Sequence, residues 1–322
     1  MKFSHLFFSN QPDVTWQLVR QMGVKYAIAK LAPELTGQLP PYDIDSLRTA
    51  QDTFAEHGLE LIGLEGDQMD MHRIKLGLAG RDEDIDHYCQ MLENMGQLHI
   101  RLLCYNFMVT GWHRTRLDQQ ERGGALVTAF DYEQAQQSPN PLGVTISAEQ
   151  VFDNYHYFIE RVMPVAEQAG VKMGLHPDDP PVSPLQGIGR AFTNATEIRR
   201  ALAVSGSPSH GLTFCQGTYT TMQEDVAALV REWIPRIFFL HLRDVVGSPA
   251  RFHETFHDNG PTDMVSRLAL YQEIGYDGPV RSDHVPTMAG ETNHRPGYGM
   301  YGNLFGIGYL KGIMEALAID FT

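Results

Sequence analysis

Short apolar runs alternate with longer amphipathic stretches from one end of the chain to the other. The runs are rich in β-branched and aromatic residues and nearly continuous in hydrophobicity, which is typical of strands buried on both faces of a parallel sheet. The pattern predicts eight strands, at residues 3–8, 25–29, 60–65, 100–106, 172–176, 212–215, 237–242 and 280–283. No Ser/Gly-rich linker or low-complexity tract interrupts the alternation.

The stretches between these runs have the apolar spacing of amphipathic helices. They predict eight helices, at residues 12–22, 45–57, 83–95, 148–169, 195–204, 223–233, 262–274 and 302–318. Ser147 and Asn194 stand where N-caps are expected, because their side chains can accept from free backbone N–H groups. Glycines mark four expected helix ends, at Gly58, Gly96, Gly170 and Gly275.

Strands that alternate with helices form right-handed βαβ units, and eight such units close a (β/α)₈ barrel. An open doubly wound sheet and two smaller domains are the alternatives. However, the first predicted strand is not followed by the glycine fingerprint of a nucleotide-binding sheet. We therefore expect an α/β fold in which residues 1–322 form a single TIM barrel domain.

Residues 107–147 are too numerous for an ordinary connection in a compact domain. They follow the fourth predicted strand, so they would lie at the C-terminal mouth of the barrel, where such enzymes build their sites. We expect a long loop insertion here, which acts as a lid or as a contact between subunits.

Composition restricts the partners more than the activity. Apolar residues make up 43% of the chain and charged residues 20%, as in ordinary soluble proteins. A net charge of −14 without a basic patch argues against a nucleic-acid partner. No apolar run approaches the ~20 residues of a membrane span, and the three widely spaced cysteines argue against a disulfide framework. We expect a cytoplasmic protein that binds neither nucleic acid nor membrane.

The last four predicted strands each end in a side chain that can bind a transition metal. These residues are His176, Cys215, His241 and Asp283. A single buried histidine or cysteine is more often a core residue, but four neighbouring strands of a barrel would aim four donors at one point. A shell of two histidines, a cysteine and an aspartate suits Zn²⁺, Mn²⁺, Fe²⁺ or Co²⁺ better than Mg²⁺ or Ca²⁺.

Two further groups near this set could transfer protons. His284 follows Asp283, and a histidine beside a metal can act as an acid or base near neutral pH, or can simply orient the ligand. Tyr298 lies in the glycine-rich segment after the eighth predicted strand and could ionise near a cation or only pack. Candidates for holding a polyhydroxylated or carboxylate ligand are Asn106, Arg114, His253, Glu254 and Arg243.

Several segments together resemble a known family, from about residue 100 to the C-terminus. They are residues 104–108 (CYNFM), 112–115 (WHRT), 175–181 (LHPDDPP), 214–217 (FCQG), 252–254 (FHE), 263–264 (DM), 283–284 (DH) and 296–298 (PGY). In order and content they look like those of mannonate dehydratase. Eight ordered segments are far more specific than any one motif.

This resemblance implies a xylose-isomerase-like barrel that binds Mn²⁺, with Fe²⁺ as the alternative. It also implies a hydro-lyase that removes water from D-mannonate to give 2-keto-3-deoxy-D-gluconate. Carried over residue by residue, the family's metal ligands fall on His176, Cys215, His241 and Asp283, and its acid/base pair falls on His284 and Tyr298. The assignment of acid and base within that pair stays open.

The chain departs from the family pattern in two places. Residues 4–9 replace an aromatic-rich Arg-Trp-Tyr-Gly type of segment, and Val285 replaces the glycine after Asp-His. Three alternatives therefore stay open: a dehydratase of another aldonate, an isomerase or epimerase with the same metal site, and a non-catalytic sugar-acid binding protein. In each case the partner is a small sugar acid, and we expect a homo-oligomer, most simply a dimer.

Overall fold

The computed structural model describes residues 1–321, and it contains all eight predicted strands. The elements, in chain order, are β1 (Lys2–Phe7), α1 (Val14–Gln21), β2 (Tyr26–Ala29), α2 (Pro33–Thr36), α3 (Ile44–Glu56), β3 (Glu60–Glu65), α4 (His72–Leu76), α5 (Arg81–Gln97), β4 (Leu102–Tyr105), β5 (Arg116–Gln120), β6 (Leu126–Asp131), α6 (Tyr132–Gln137), α7 (Ala148–Ala169), β7 (Lys172–Leu175), α8 (Ala195–Ala203), β8 (His210–Cys215), α9 (Gln216–Thr221), α10 (Val226–Trp233), β9 (Ile237–Leu242), β10 (Val245–Ser248), β11 (Arg251–Glu254), α11 (Met264–Glu273), β12 (Pro279–Ser282) and α12 (Met300–Ala316).

Eight parallel strands close a barrel in the order β1-β12-β9-β8-β7-β4-β3-β2. The sequence expectation of a TIM barrel is therefore confirmed. Because successive side chains point to opposite faces of the sheet, each strand contributes side chains to two apolar layers. A small cluster that includes Leu6, Ile28 and Phe239 fills the barrel interior, and the main core packs between the strands and the surrounding helices.

Local capping explains why several helices begin where the sequence indicated. Ser147 and Gln150 form a reciprocal capping box at the start of α7, and the side chain of Asn194 accepts from a backbone N–H of α8. Gly170 ends α7 in the left-handed conformation. The helix α5 ends at Gln97, one residue after Gly96, and the left-handed residue that follows it is His99, with φ +60°.

Residues 107–147, which were predicted as a long loop insertion, include regular secondary structure. They contain β5, β6 and α6, and β6 pairs with β11 from the connection after β9. The result is a four-stranded antiparallel sheet in the order β10-β11-β6-β5, outside the barrel sheet. This sheet fixes the positions of several side chains that border the mouth. Within residues 1–321, no helix is both long and apolar enough to span a membrane.

Candidate active site

The structure brings together the four side chains that the sequence singled out as metal ligands. Cys215 is the last residue of β8, His241 lies near the end of β9, and His176 and Asp283 directly follow β7 and β12. One donor atom from each lies within 4.8 Å of the others. Parallel strands of a barrel end at the same rim, so these donors converge although they are far apart in sequence.

Both imidazole rings have a nitrogen available for a ligand. Nδ1 of His176 donates to the carbonyl oxygen of Pro177 at 2.7 Å, so Nε2 is the nitrogen that would bind a metal, after loss of any proton it carries. The His241 ring is buried, yet neither of its nitrogens has a hydrogen-bond partner in the part of the chain that is described. Buried polar atoms without partners are costly. The donor set therefore fits a divalent ion of borderline softness.

The environment of Cys215 favours the thiolate form that a metal ligand requires. Burial raises the pKa of this thiol, but the charges of Arg243 and His176 outweigh burial and bring the pKa well below its ordinary value. The hydroxyl of Thr218 also donates to Sγ at 3.1 Å. In turn, although burial lowers the pKa of His176, the neighbouring Cys215 raises it to about 9. Opposite charges thus stabilise each other inside the site.

Asp283 completes the set as an ionised carboxylate. Its Oδ2 lies 3.7 Å from both Sγ of Cys215 and Nδ1 of His241, while its Oδ1 lies 2.8 Å from Nη1 of Arg281. Burial alone would raise the pKa of Asp283, but Arg281 and the neighbouring histidines lower it well below its ordinary value. Oδ1 is therefore held by Arg281, while Oδ2 faces the remaining donors and also lies 3.1 Å from Nε of Arg243.

These donors border a cavity of about 330 Å³ at the mouth of the barrel. Three of the four donor residues line it, and Cys215 lies behind them. Both candidate acid/base residues, His284 and Tyr298, also line the cavity. Trp112 covers His284 from the solvent side, with ring centroids 5.3 Å apart, and Phe8 packs edge-on against Tyr298 at 4.8 Å.

A directed chain of hydrogen bonds links Glu254, His284 and Tyr298. Nδ1 of His284 donates to Oε1 of Glu254 at 2.9 Å, so its Nε2 is the acceptor. The Tyr298 hydroxyl lies 3.1 Å from that Nε2 and is the donor. Burial and the charge of Asp283 raise the pKa of Tyr298, which keeps the phenol protonated. A buried carboxylate that orients a histidine in this way also fixes its tautomer.

Arg114 and Arg243, expected to hold a substrate, are instead engaged in a buried ion-pair network. Arg114 pairs with Asp179 at 2.7 and 2.9 Å and with Glu254 at 2.6 Å. Arg243 donates to Glu254 at 2.9 and 2.7 Å and to Asp179 at 2.7 Å. The network places Glu254 behind His284, where it supports the ring and does not line the cavity.

The other two expected substrate-binding residues lie in different surroundings. Asn106 lines the cavity, and its Oδ1 accepts from Nζ of the buried Lys75 at 3.2 Å. His253 precedes Glu254 on β11, and successive side chains of a strand point to opposite faces. Because Glu254 faces the site, His253 points away from it, and it does not line the cavity.

Sequence reasoning missed several buried residues that surround the donors. Asp179 lies within the segment LHPDDPP and was visible as an acidic residue after His176, but nothing indicated its arginine partners. Glu65 and Arg281 lie on β3 and β12 and pair with each other. Burial raises the pKa of Glu65, but Arg281 and His241 outweigh it and lower the pKa to about 2.

Comparison with known proteins gives a consistent result. The sequence model of the family described as D-mannonate dehydratase (UxuA) matches residues 1–144 and 141–321, including the N-terminal third that the motif resemblance had not covered. A mannonate dehydratase of Halalkalibacterium halodurans is 32% identical, with 99% of this chain and 100% of that protein covered. Mannonate dehydratase of Thermotoga maritima is 31% identical, with 98% of each chain covered.

Solved structures extend the comparison to the fold. The mannonate dehydratase of Streptococcus suis serotype 2 superposes with a TM-score of 0.90 at 30% identity, covering 100% of this chain and 97% of that chain. A xylose isomerase domain protein of Planctomyces limnophilus superposes with a TM-score of 0.62 at 12% identity, covering 99% of this chain and 98% of that one. The second match shows a shared xylose-isomerase-like barrel and nothing about the reaction.

Proposed function

Because the chain belongs to the D-mannonate dehydratase family, it is an enzyme of the hydro-lyase class, and we propose that it removes water from D-mannonate to give 2-keto-3-deoxy-D-gluconate. One observation carries this proposal. A single cavity at the barrel mouth is bordered by four converging metal donors and by the hydrogen-bonded pair of His284 and Tyr298. Loss of water next to a carboxylate requires both electrostatic stabilisation and proton transfer, and this cavity offers groups for each.

We propose that one divalent cation is held by His176, Cys215, His241 and Asp283. This cation is Mn²⁺, with Fe²⁺ as the alternative. The two unpartnered nitrogens of His241 and the stabilised thiolate of Cys215 support this assignment. Such an ion, when bound, supplies positive charge that polarises the oxygens of the substrate. Mg²⁺ prefers oxygen ligands, so it is a poor match for a site that contains a thiolate and two imidazoles.

The hydrogen bonds around His284 support a division of roles within the acid/base pair. Glu254 uses the proton on Nδ1, so Nε2 is the nitrogen that can accept a proton from the C2 carbon of the substrate. Tyr298 holds its proton and can give it to the departing C3 hydroxyl. We therefore assign His284 as the base and Tyr298 as the acid.

Isotope exchange separates these two roles. In D₂O, Tyr298→Phe should still exchange the C2 hydrogen of D-mannonate while product formation falls at least about 100-fold, which is the lower end of the usual contribution of acid–base catalysis. His284→Asn should lose both exchange and product formation. Tyr301→Phe, an exposed tyrosine three residues away, serves as a control and should behave as wild type. Loss of exchange in Tyr298→Phe with retention in His284→Asn would reverse the assignment.

The reaction itself is tested on a panel of aldonates. Purified protein supplied with Mn²⁺ should form a 2-keto-3-deoxy acid from D-mannonate faster than from any other hexonate. An epimerase or isomerase would change the sugar without forming a keto-deoxy acid, and a binding protein would change nothing. Faster dehydration of another aldonate would keep the chemistry but overturn the proposed substrate.

The cytoplasmic location and the homodimer remain part of this proposal. The ligand set supports the first, because Cys215 must stay reduced to bind a metal. Sedimentation at several protein concentrations would test the second, and a monomer at all concentrations would contradict it.

A further inference from the structure

Two residues beside the candidate metal donors line the same cavity as those donors and are linked to each other and to the donor set. Glu65 ends β3, and Arg281 lies on β12, which β1 and β2 separate from β3 in the barrel. Nε of Arg281 donates to Oε2 of Glu65 at 3.1 Å, and Nη2 donates to Oε1 at 2.5 Å. This bidentate pairing fixes the plane of the carboxylate, because a guanidinium fork matches a carboxylate in one orientation.

Glu65 also faces His241 on the side away from the other donors. Its Oε2 lies 3.4 Å from Nε2 of His241, while Nδ1 of the same ring lies 3.7 Å from Oδ2 of Asp283. The imidazole therefore stands between two carboxylates, and only one of them belongs to the donor set. The contact with Glu65 is long and poorly aligned, but such hydrogen bonds often tighten only when the site is loaded.

Arg281 reaches the second donor directly. Its Nη1 lies 2.8 Å from Oδ1 of Asp283 and also donates to the carbonyl oxygen of Ser282 at 3.0 Å. One arginine thus joins the carboxylate that faces His241 to the carboxylate that would bind the ion. All of these groups are buried or nearly so, which strengthens their electrostatic interactions.

We propose that Glu65 and Arg281 are positioning residues for the metal site: Glu65 accepts the Nε2 proton of His241 so that Nδ1 faces the ion, and Arg281 orients Asp283. This inference rests on the proposed metal site and extends it. Neither residue is a metal ligand in this scheme, although both line the cavity. Their effect passes through His241 and Asp283, in the way that outer carboxylates orient metal-binding histidines.

A second cation site at Glu65, Cys104 and His241 is the competing explanation, since their donor atoms also lie within 4.8 Å of one another. The charges argue against it. Both oxygens of Glu65 are already paired with Arg281, whose positive charge would repel a cation at this position. Cys104 is buried among apolar side chains that stabilise the neutral thiol and not the thiolate.

Metal affinity tests the proposal without reference to turnover. Mn²⁺ binding to chelator-treated full-length protein would be measured by competition with a fluorescent chelator. We expect Glu65→Gln to weaken Mn²⁺ binding about 10- to 100-fold, the usual effect of losing an outer partner of a metal ligand, with one ion still bound per chain. Glu121→Gln is the matched control, because Glu121 accepts from Thr255 at 2.8 Å near the mouth and contacts none of the donors.

Two further measurements separate positioning from general damage. Loss of the carboxylate that pairs with Arg281 should destabilise metal-free Glu65→Gln, so circular dichroism must show that both metal-free proteins are folded under the conditions of the binding assay. Glu65→Asp, which keeps the carboxylate, should recover part of the affinity that Glu65→Gln loses. With ring-¹⁵N histidine, the His241 signal of metal-free wild type should show a proton on Nε2, and Glu65→Gln should shift the ring towards the other tautomer.

The possible outcomes are distinct. Equal Mn²⁺ affinity of wild type and Glu65→Gln would overturn the positioning role and leave the metal site intact. Two ions per wild-type chain, with loss of one in Glu65→Gln, would favour the second cation site and also overturn the proposal. No Mn²⁺ binding by wild type would overturn the proposed metal site itself.

Discussion

Replacement of Glu254 by glutamine removes one buried charge while almost preserving the volume of the side chain. Glu254 accepts from Arg243 at 2.9 and 2.7 Å, from Arg114 at 2.6 Å and from His284 at 2.9 Å. An amide can accept fewer of these bonds and leaves the arginines with excess positive charge. We expect two separable effects: a loss of stability from the arginines and a loss of catalysis from His284.

Asp179→Asn provides the matched comparison. Asp179 pairs with the same two arginines, at 2.7 and 2.9 Å for Arg114 and 2.7 Å for Arg243, but it makes no hydrogen bond to His284. Breaking a buried pair by removing one partner costs about 3–5 kcal/mol, so both variants should lose stability in this range. Only Glu254→Gln should also lose the orientation of His284. Its kcat should then fall at least about 100-fold below that of Asp179→Asn.

The assay combines urea denaturation of the metal-loaded proteins with steady-state dehydration of D-mannonate at saturating substrate. Similar free energies of unfolding with a large difference in kcat would support a separate role for the bond between Glu254 and His284. Equal kcat values in two equally destabilised variants would refute it, because the carboxylate would then serve only the ion-pair network.

Three further predictions concern other parts of the molecule. Cys215→Ser should lose bound Mn²⁺ and more than about 99% of turnover together, and full activity in a metal-free variant would contradict the site assignment. Burial lowers the pKa of His210 from 6.5 to about 4, so the unfolded chain takes up its proton first as the pH falls. Between pH 7.5 and pH 5, wild type should lose about 2 kcal/mol of its free energy of unfolding relative to His210→Asn, because the stabilisation from neutral His210 is full above pH 6.5 and falls towards pH 4. If urea denaturation gave the same difference in free energy of unfolding between the two proteins at both pH values, this prediction would be contradicted. Gly302→Ala should destabilise the protein by about 1–3 kcal/mol, because its Cβ would meet the carbonyl oxygen of Pro286 at 2.1 Å. Gly312→Ala in the same helix has nothing within 4 Å and should stabilise by about 0.5–1 kcal/mol, as urea denaturation of both variants would show.

The barrel was predictable because its strands and helices carry their periodicity locally. Residues 60–65 and 237–242 were predicted as strands and coincide with β3 and β9, and the capping box at Ser147 marked the start of α7. The antiparallel sheet at the mouth was missed because β5, Arg116–Gln120, is almost wholly exposed and has no apolar face. Its pairing depends on β6 and β11, which no local pattern connects.

The candidate site was also predictable from the sequence only in part. Strand ends of a barrel share one rim, so the convergence of His176, Cys215 and the other donors could be inferred from sequence order. The hydrogen-bond and ion-pair partners of those donors could not be inferred from the sequence. Glu65 and Arg281 are 216 residues apart, and a buried ion pair between distant strands leaves no periodic signal. The ion pairs of Arg114 and Arg243 were not predictable for the same reason, because their carboxylate partners lie far away in the sequence.

The central claim is that one cation held by four residues at the barrel mouth enables dehydration of D-mannonate. The most direct test is the rate of 2-keto-3-deoxy acid formation from D-mannonate while chelator-treated protein is titrated with Mn²⁺. We expect negligible product without metal and a rate that rises in proportion to added Mn²⁺ until about one ion per chain is bound. A rate that is independent of metal, or no keto-deoxy acid at saturating Mn²⁺, would contradict it.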